Sequence, residues 1–321
     1  MDELLDKYGK LHIFSGTSHP VLAREIAAHI GVDVRTAVVQ RFNNGEVQVL
    51  LGDNVRGKDI FVLQTFSTPV NDMIIELLVM IDAFRRASAG SITAVIPYYA
   101  YNRQDKKVRD RDPIAAKLVA NLIMAAGVDR IVTMDLHSGQ LEGFFDMPVE
   151  HISSDDMLSD YIARYFGWRG DEITVVSPDM GGVRRARHTA ERLKCPLAIL
   201  DRRRPKPDVA VITDIVGEVK DKITILIDDS IDTAGSIAEG GKALKEAGAR
   251  AIYACCTHAV LSGDAVEQLN KSVVKEIIVT DTIPLPQEKQ SPKIRVVKVA
   301  ALFGEAILRI FNEQSIKKSF I

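Results

Sequence analysis

Short apolar runs rich in β-branched residues alternate with segments of helical periodicity along the chain. That alternation constrains the fold more than any other feature. The first half reads as strand Leu11–Phe14, helix Pro20–Ile30, strand Ile60–Gln64, helix Pro69–Ala87, strand Ser91–Ile96, helix Pro113–Ala126 and strand Arg130–Met134. Pro20, Pro69 and Pro113 stand where helices open, a place that suits a residue without an N–H. The pattern predicts an α/β protein with doubly wound, mainly parallel sheets. A further pair, Ala37–Phe42 and Glu46–Leu51, flanks Asn43-Asn44-Gly45. Asn and Gly tolerate positive φ, so this pair predicts a hairpin.

The order then returns. Strand Ile173–Ser177 precedes helix Val183–Lys194, and strand Ile223–Asp228 precedes helix Ser236–Ala247. Strand Arg250–Cys256, a helix near Asp264–Asn270 and strand Glu276–Thr280 follow. Leu11–Gly16 lies beside Ile173–Pro178, Asp59–Gln64 beside Lys222–Ile227, and Arg130–Asp135 beside Glu276–Asp281. The chain length of 321 residues allows two domains at about 100–200 residues each. The halves therefore read as two similar domains, 1–149 and 150–299, with the boundary near Pro148–Ser153. The last helix, Ala300–Gln314 within a tail of about 300–321, follows strand Ile294–Val299, has no counterpart in the first half and is expected to pack on the first domain.

Charge narrows the function. Lys and Arg number 41 against 43 Asp and Glu, a net charge of −2. Without a basic excess to neutralise a phosphate backbone, a general nucleic-acid binder is excluded. With 46% hydrophobic residues the chain can bury enough surface to order itself. Cys195, Cys255 and Cys256 are too few for a disulfide framework and point to a reducing compartment. The start, MDELLDKYGK, is too charged for a signal peptide, and no run reaches about 18 apolar residues. No membrane span is expected, and the cytoplasm is the expected location.

The strongest local signal is Ile223-Thr-Ile-Leu-Ile-Asp-Asp-Ser-Ile-Asp-Thr-Ala-Gly-Ser236. An apolar strand ends in Asp228-Asp229, and the loop Ser230–Gly235 opens a helix. Ligand crevices of open α/β sheets lie at the carboxyl ends of strands. Asp232, Thr233, Ala234, Gly235 and Ser236 stand where a helix N-terminus gathers free N–H groups, an anion site. Paired carboxylates there suit sugar hydroxyls or a metal, since burying them together is costly otherwise. Taken alone, the stretch also fits a capped helix with solvated acids.

This stretch resembles the ribose-phosphate loop of type I phosphoribosyltransferases and of the ribose-phosphate diphosphokinase (phosphoribosyl diphosphate synthetase) family. Pro97-Tyr-Tyr-Ala-Tyr-Asn-Arg-Gln-Asp-Lys-Lys107, Asp135-Leu-His-Ser-Gly-Gln140, Gly143-Phe-Phe-Asp146, Val176-Ser-Pro-Asp-Met-Gly-Gly182, Arg184–Arg187 and Tyr253-Ala-Cys-Cys-Thr-His-Ala-Val-Leu-Ser262 resemble the synthetase. The resemblance runs from Phe14 to about Glu313 in the family's order. It implies two phosphoribosyltransferase-type domains and transfer of a diphosphoryl group from ATP to O1 of ribose 5-phosphate, giving AMP. Such chemistry rests on positioning and charge stabilisation. A plain phosphoribosyltransferase would leave the duplicated domain unexplained. A non-catalytic, synthetase-associated regulatory subunit is the alternative.

The resemblance also assigns roles. Asp228, Asp229, Asp232, Thr233, Ala234, Gly235 and Ser236 bind ribose 5-phosphate. Asp179, Gly181 and Gly182 form a diphosphate loop, and His137 and Asp179 hold Mg²⁺. Arg103, Gln104, Asp105 and His137 belong to the ATP site. Phe42, Asn44 and Glu46 reach a neighbouring subunit's site and hold adenine; the family usually shows Asp at Asn44. Arg202 and Arg204 are catalytic, on a charged, proline-punctuated segment (Ile199–Pro207) that reads as a mobile loop. The family has Lys at Arg202, and arginine keeps the charge without the compact ammonium. Arg184, Arg185 and Arg187 follow on a helix and cannot all face one site. A homohexamer, with phosphate and ADP as effectors at Asn54–Lys58, is implied as well. His12, His19, His151 and His258 read as ordinary structural histidines.

Overall fold

The structure, a computed structural model, describes residues 9–168, 170–206 and 209–316, with the stretch 202–213 described by its backbone alone. In chain order the elements are β1 Leu11–Ser15, α1 Pro20–Ile30, β2 Ala37–Arg41, β3 Val47–Leu51, β4 Asp59–Leu63, α2 Val70–Arg86, β5 Ser91–Ile96 and α3 Ala115–Ala126. Then come β6 Arg130–Met134, β7 Val149–Ile152, α4 Asp155–Phe166, β8 Ile173–Ser177, α5 Val183–Leu193, β9 Leu197–Lys206 and β10 Val209–Val216. The chain continues with β11 Ile223–Ile231, α6 Gly235–Glu246, β12 Ala251–Ala259, α7 Ala265–Lys271, β13 Ile277–Thr280, β14 Ile294–Val297 and α8 Ala300–Phe311. Two compact units result. One takes in everything described up to Ser153, with Thr282–Pro284 and the stretch from Val299; the other takes Ser154–Asp281 and Leu285–Lys298.

The first unit holds a five-stranded parallel sheet in the order β1-β4-β5-β6-β7. A parallel bridge from Ile13 to Val34 extends β1 on its other edge. The chain therefore leaves β1 to one side and returns as β4 on the other, and strand order reverses there. β2 and β3 form a separate antiparallel ribbon, Ala37 opposite Leu51 and Arg41 opposite Val47. α8 packs on α1 within this unit.

The second unit holds seven strands in the order β10-β9-β8-β11-β12-β13-β14, parallel except β10. Here order reverses between β8 and β11. Alternation along β11 serves both faces. Leu226 packs with Cys256, Ile237 and Leu244, while Ile225 and Ile227 pack with Cys255, Leu158, Ile162 and Ala186. Each such side chain contributes about 1.5–3 kcal/mol through burial. Both paired cysteines are buried free thiols.

Several elements differ from the sequence reading. β11 and β12 run three residues beyond their expected ends, because Ser230 and Ile231 pair with His258 and Ala259. Asp228 and Asp229 thus sit inside the strand, and the connecting loop shrinks to Asp232–Ala234. The segment expected as a mobile loop continues as β9, paired with β10. Two residues, Arg204 and Pro205, stand against Ala210 where the register shifts, so the proline's missing N–H costs no regular ladder bond. Val149–Ile152, in the stretch read as the domain boundary, is an edge strand. α4 was not anticipated. Of the three prolines, only Pro20 opens its helix at the first turn; α3 begins two residues after Pro113.

Candidate active site

In the second unit two loops leave the sheet at its reversal point. The first follows β8. Asp179 Oδ1 accepts from the N–H groups of Gly181 (2.8 Å) and Gly182 (3.1 Å), and Ser177 Oγ donates to the Asp179 carbonyl at 2.7 Å. A Cβ at Gly182 would lie 2.9 Å from Ser177 Oγ, so the close turn needs glycine there. Gly181 and Met180 are exposed. No side chain caps α5 at Gly182.

The second loop follows β11. Ala234 has φ of +66°, a left-handed conformation that L residues with a Cβ reach only under strain. It turns the chain directly into α6, whose N-terminus no side chain caps. The first-turn N–H groups there form an anion cradle beside Thr233, which is exposed, and Ser236. Asp229 is buried, and its N–H donates to Asp228 Oδ1 at 2.8 Å. Burial pushes the Asp228 carboxyl well above its usual range, the neighbouring Asp229 adds to this, and the Asp179 charge pushes the same way. The loop after β8 and the end of β11 therefore bring three carboxylates within electrostatic reach of one another. Carboxylates are the hard oxygen donors that a divalent cation such as Mg²⁺ prefers. Among the described residues, no three His, Cys, Asp or Glu side chains are grouped so as to hold a metal ion.

The helix after Asp179 divides its arginines. Arg185 pairs with Asp155 of α4 at 2.8 Å, whereas Arg184 and Arg187 are exposed. The side chains of Arg202 and Arg204 lie outside the described residues.

In the first unit, Arg103 and Gln104 are exposed on the loop after β5, which Tyr101 turns with φ of +61°. Asp105 Oδ2 accepts from Ser138 Oγ at 2.7 Å, so this loop is joined to the Asp135–Ser138 loop after β6. His137 is exposed on that second loop, and Asp135 before it has φ of +39°. Beneath it, His151 Nε2 accepts from Leu136 N–H at 2.9 Å, and His151 Nδ1 meets Glu142 Oε1 at 2.6 Å. The sequence reading left His151 as an ordinary structural residue. Its place on β7, parallel to and beside β6, was the missing signal.

The β2–β3 tip carries the remaining predicted residues of the first unit. Gly45 N–H donates to the Phe42 carbonyl at 2.8 Å and Glu46 N–H to Asn44 Oδ1 at 3.1 Å. Phe42, Asn44 and Glu46 are all exposed, Phe42 to 49%.

Two family models match the chain. Residues 11–127 match the N-terminal domain of ribose phosphate pyrophosphokinase, and residues 202–321 match a phosphoribosyl synthetase-associated domain. A ribose-phosphate pyrophosphokinase of Clostridium tetani is 53% identical over 97% of this chain and 97% of its own. One of Caldanaerobacter subterraneus is 54% identical over 97% and 98%. The crystal structure of a phosphoribosylpyrophosphate synthetase from Mycobacterium smegmatis superposes with a TM-score of 0.89 at 42% identity, covering 95% of this chain and 99% of that one.

Proposed function

The chain belongs to the ribose-phosphate pyrophosphokinase family, and from that premise we propose how its residues divide the work. The reaction moves the diphosphoryl group of ATP to O1 of ribose 5-phosphate. O1 attacks the β-phosphorus, the bond to the α,β-bridging oxygen breaks, and AMP departs. The product, 5-phosphoribosyl 1-diphosphate, feeds nucleotide biosynthesis. A non-catalytic regulatory subunit is not favoured, since the relatives bear an enzyme's name.

Asp228 and Asp229 accept hydrogen bonds from ribose hydroxyls, and Asp232–Ser236 cradles the 5-phosphate at the α6 N-terminus. Gly181 and Gly182 let the backbone approach the transferred diphosphate. Arg103, Gln104 and Asp105 orient the ATP phosphates, with His137 on the joined loop. Phe42 stacks on adenine while Asn44 and Glu46 hydrogen-bond its edge. Arg202 and Arg204 stabilise negative charge on the transferred group. Asp179 and His137 would each offer a ligand to magnesium, which would neutralise charge on the triphosphate.

The observation that carries this reading is the topology: Asp228 and Asp229 at the end of β11, followed by the left-handed Ala234 turn into α6, and the Asp179 loop after β8 both lie where the strand order reverses. The test is AMP release from ATP, Mg²⁺ and ribose 5-phosphate. One AMP per ribose 5-phosphate consumed supports it; no AMP above the hydrolysis blank from folded protein favours the regulatory subunit. Assembly as a homohexamer, phosphate and ADP as effectors, and a cytoplasmic location complete the proposal. No helix among the described residues is long and apolar enough to cross a membrane.

A further inference from the structure

The fold contains two strand-reversal crevices, one in each unit, yet the sugar-phosphate and diphosphate loops occupy only the second. The first unit's crevice lies at the carboxyl ends of β1 and β4. There the loop Gly16–His19 leads from β1 into α1, as the Pro178–Gly182 loop leads from β8 into α5. Its donors are already engaged. Glu76, 2% exposed on α2, accepts from Thr17 N–H at 2.6 Å, Thr17 Oγ at 2.7 Å and Gln64 Nε2 at 2.8 Å. Gln64, fully buried at the end of β4, accepts through Oε1 from Ser18 Oγ at 2.6 Å and Ser18 N–H at 3.2 Å. Ser18 Oγ in turn accepts from Thr65 N–H at 2.9 Å.

A buried carboxylate is costly unless its lone pairs meet donors, and here backbone, hydroxyl and amide donors all converge on it. This is the donor set that an α/β crevice offers an oxyanion. Any Cβ at Gly16 would collide with Gln64 Oε1 and Glu76 Oε1, so the loop is shaped around those two side chains. By strand register the second unit's counterpart of Gln64 is Asp228, so at that position the first unit carries a neutral amide and the second a carboxylate.

We propose that Glu76 is a built-in anion: its carboxylate fills the oxyanion cradle of Thr17 and Ser18, so the first unit's crevice takes no phosphoryl ligand, and the emptied cradle binds a small carboxylate. The chain thereby keeps one phosphate-binding crevice on a duplicated fold. The contrast with the second unit rests on the ligand roles proposed above, whereas the Glu76 network and its test do not.

The test is thermal unfolding of Glu76→Ala and of the wild type in sodium formate against sodium chloride at equal ionic strength, without divalent metal. The variant melts lower than wild type in chloride and recovers progressively with formate, while the wild type does not respond. Adding Thr17→Val to the variant removes the formate response. Equal melting of the variant in both salts overturns the proposal. Should Glu76→Ala fail to fold, hydrogen exchange of Glu76→Gln decides. Faster exchange confined to the Thr17 and Ser18 amides supports the anionic role, and unchanged protection there overturns it.

Discussion

The backbone N–H of Leu136 donates to Nε2 of His151 at 2.9 Å. That bond requires an unprotonated Nε2, so the ring's hydrogen sits on Nδ1 and points at Glu142 Oε1, 2.6 Å away. The residue after Leu136 is His137. Glu142, His151 and Leu136 thus form a short relay that fixes the backbone of the loop bearing His137, against a left-handed φ at Asp135.

Replacing His151 by Phe leaves the Leu136 N–H without its acceptor. If His137 holds the metal as proposed, loosening the loop that bears it is expected to cost about 10–100-fold in metal affinity or activity, as loss of a metal ligand's hydrogen-bond partner does. We expect the Mg²⁺ concentration for half-maximal activity and the KM for ATP to rise within that range, with the KM for ribose 5-phosphate unchanged. His151→Gln, which keeps an acceptor, recovers part of the loss. A uniform fall in kcat with unaltered Mg²⁺ dependence would mean that His151 serves stability alone.

Asp228 supplies the pH dependence. Burial, then Asp229, then Asp179 raise its carboxyl well above 3.8 in the folded protein. A raised pKa contributes stability that is fully present below the unfolded value and lost as pH rises through the folded one. The ligand-free protein therefore carries a cost at neutral pH that Asp228→Asn removes. Melting temperatures measured from acid to neutral pH should show the variant above wild type at neutral pH and the two converging toward acid. Ribose 5-phosphate use should be lost in the same variant. A variant that melts lower than wild type at neutral pH contradicts the sign.

The apolar strands were legible because burial on both faces leaves near-continuous runs such as Ile223–Ile227, and because helices announce themselves by period. The Asp228–Ser236 stretch was legible for a related reason: small and acidic residues directly after such a run have few roles other than lining a crevice. β9 and β10 were hidden, since Arg202–Pro207 reads as polar and broken while an antiparallel ribbon needs only backbone pairing. Glu76 was hidden inside an apolar helix. Its signal was a spacing that puts it on the buried face with Met73, Leu77 and Met80, where a carboxylate must find donors from another element. The loops joined by Ser138 and Asp105 are 33 positions apart, and nothing local in either predicts that contact.

The family resemblance implies lysine at the position of Arg202, which makes Arg202→Lys informative. If the position acts as a cation over the transferred phosphates, the compact ammonium keeps turnover at or above the wild-type rate. Initial rates of AMP formation at saturating ATP and ribose 5-phosphate measure this. A collapse in kcat would show that the guanidinium makes bidentate contacts that lysine cannot copy.

Phe42 gives a prediction in which stability and function separate. Its ring is 49% exposed at the tip of the β2–β3 ribbon, and the turn beneath it is held by the Gly45 and Glu46 N–H bonds and by Arg41 Nη1 donating to the Gly45 carbonyl at 3.1 Å. None of those bonds uses the Phe42 side chain. Phe42→Ala should therefore leave the melting temperature within the range of an ordinary surface substitution, about 0.5 kcal/mol either way. Base–aromatic stacking is worth about 1–3 kcal/mol, so loss of an adenine contact raises the KM for ATP by roughly 5- to 150-fold. In the proposed site the ring stacks on any base, whereas Asn44 and Glu46 would read the edge of adenine. Phe42→Ala should accordingly weaken ATP and GTP alike, while Glu46→Ala should narrow the preference between them. A KM for ATP unchanged by Phe42→Ala would remove the ribbon tip from the nucleotide site.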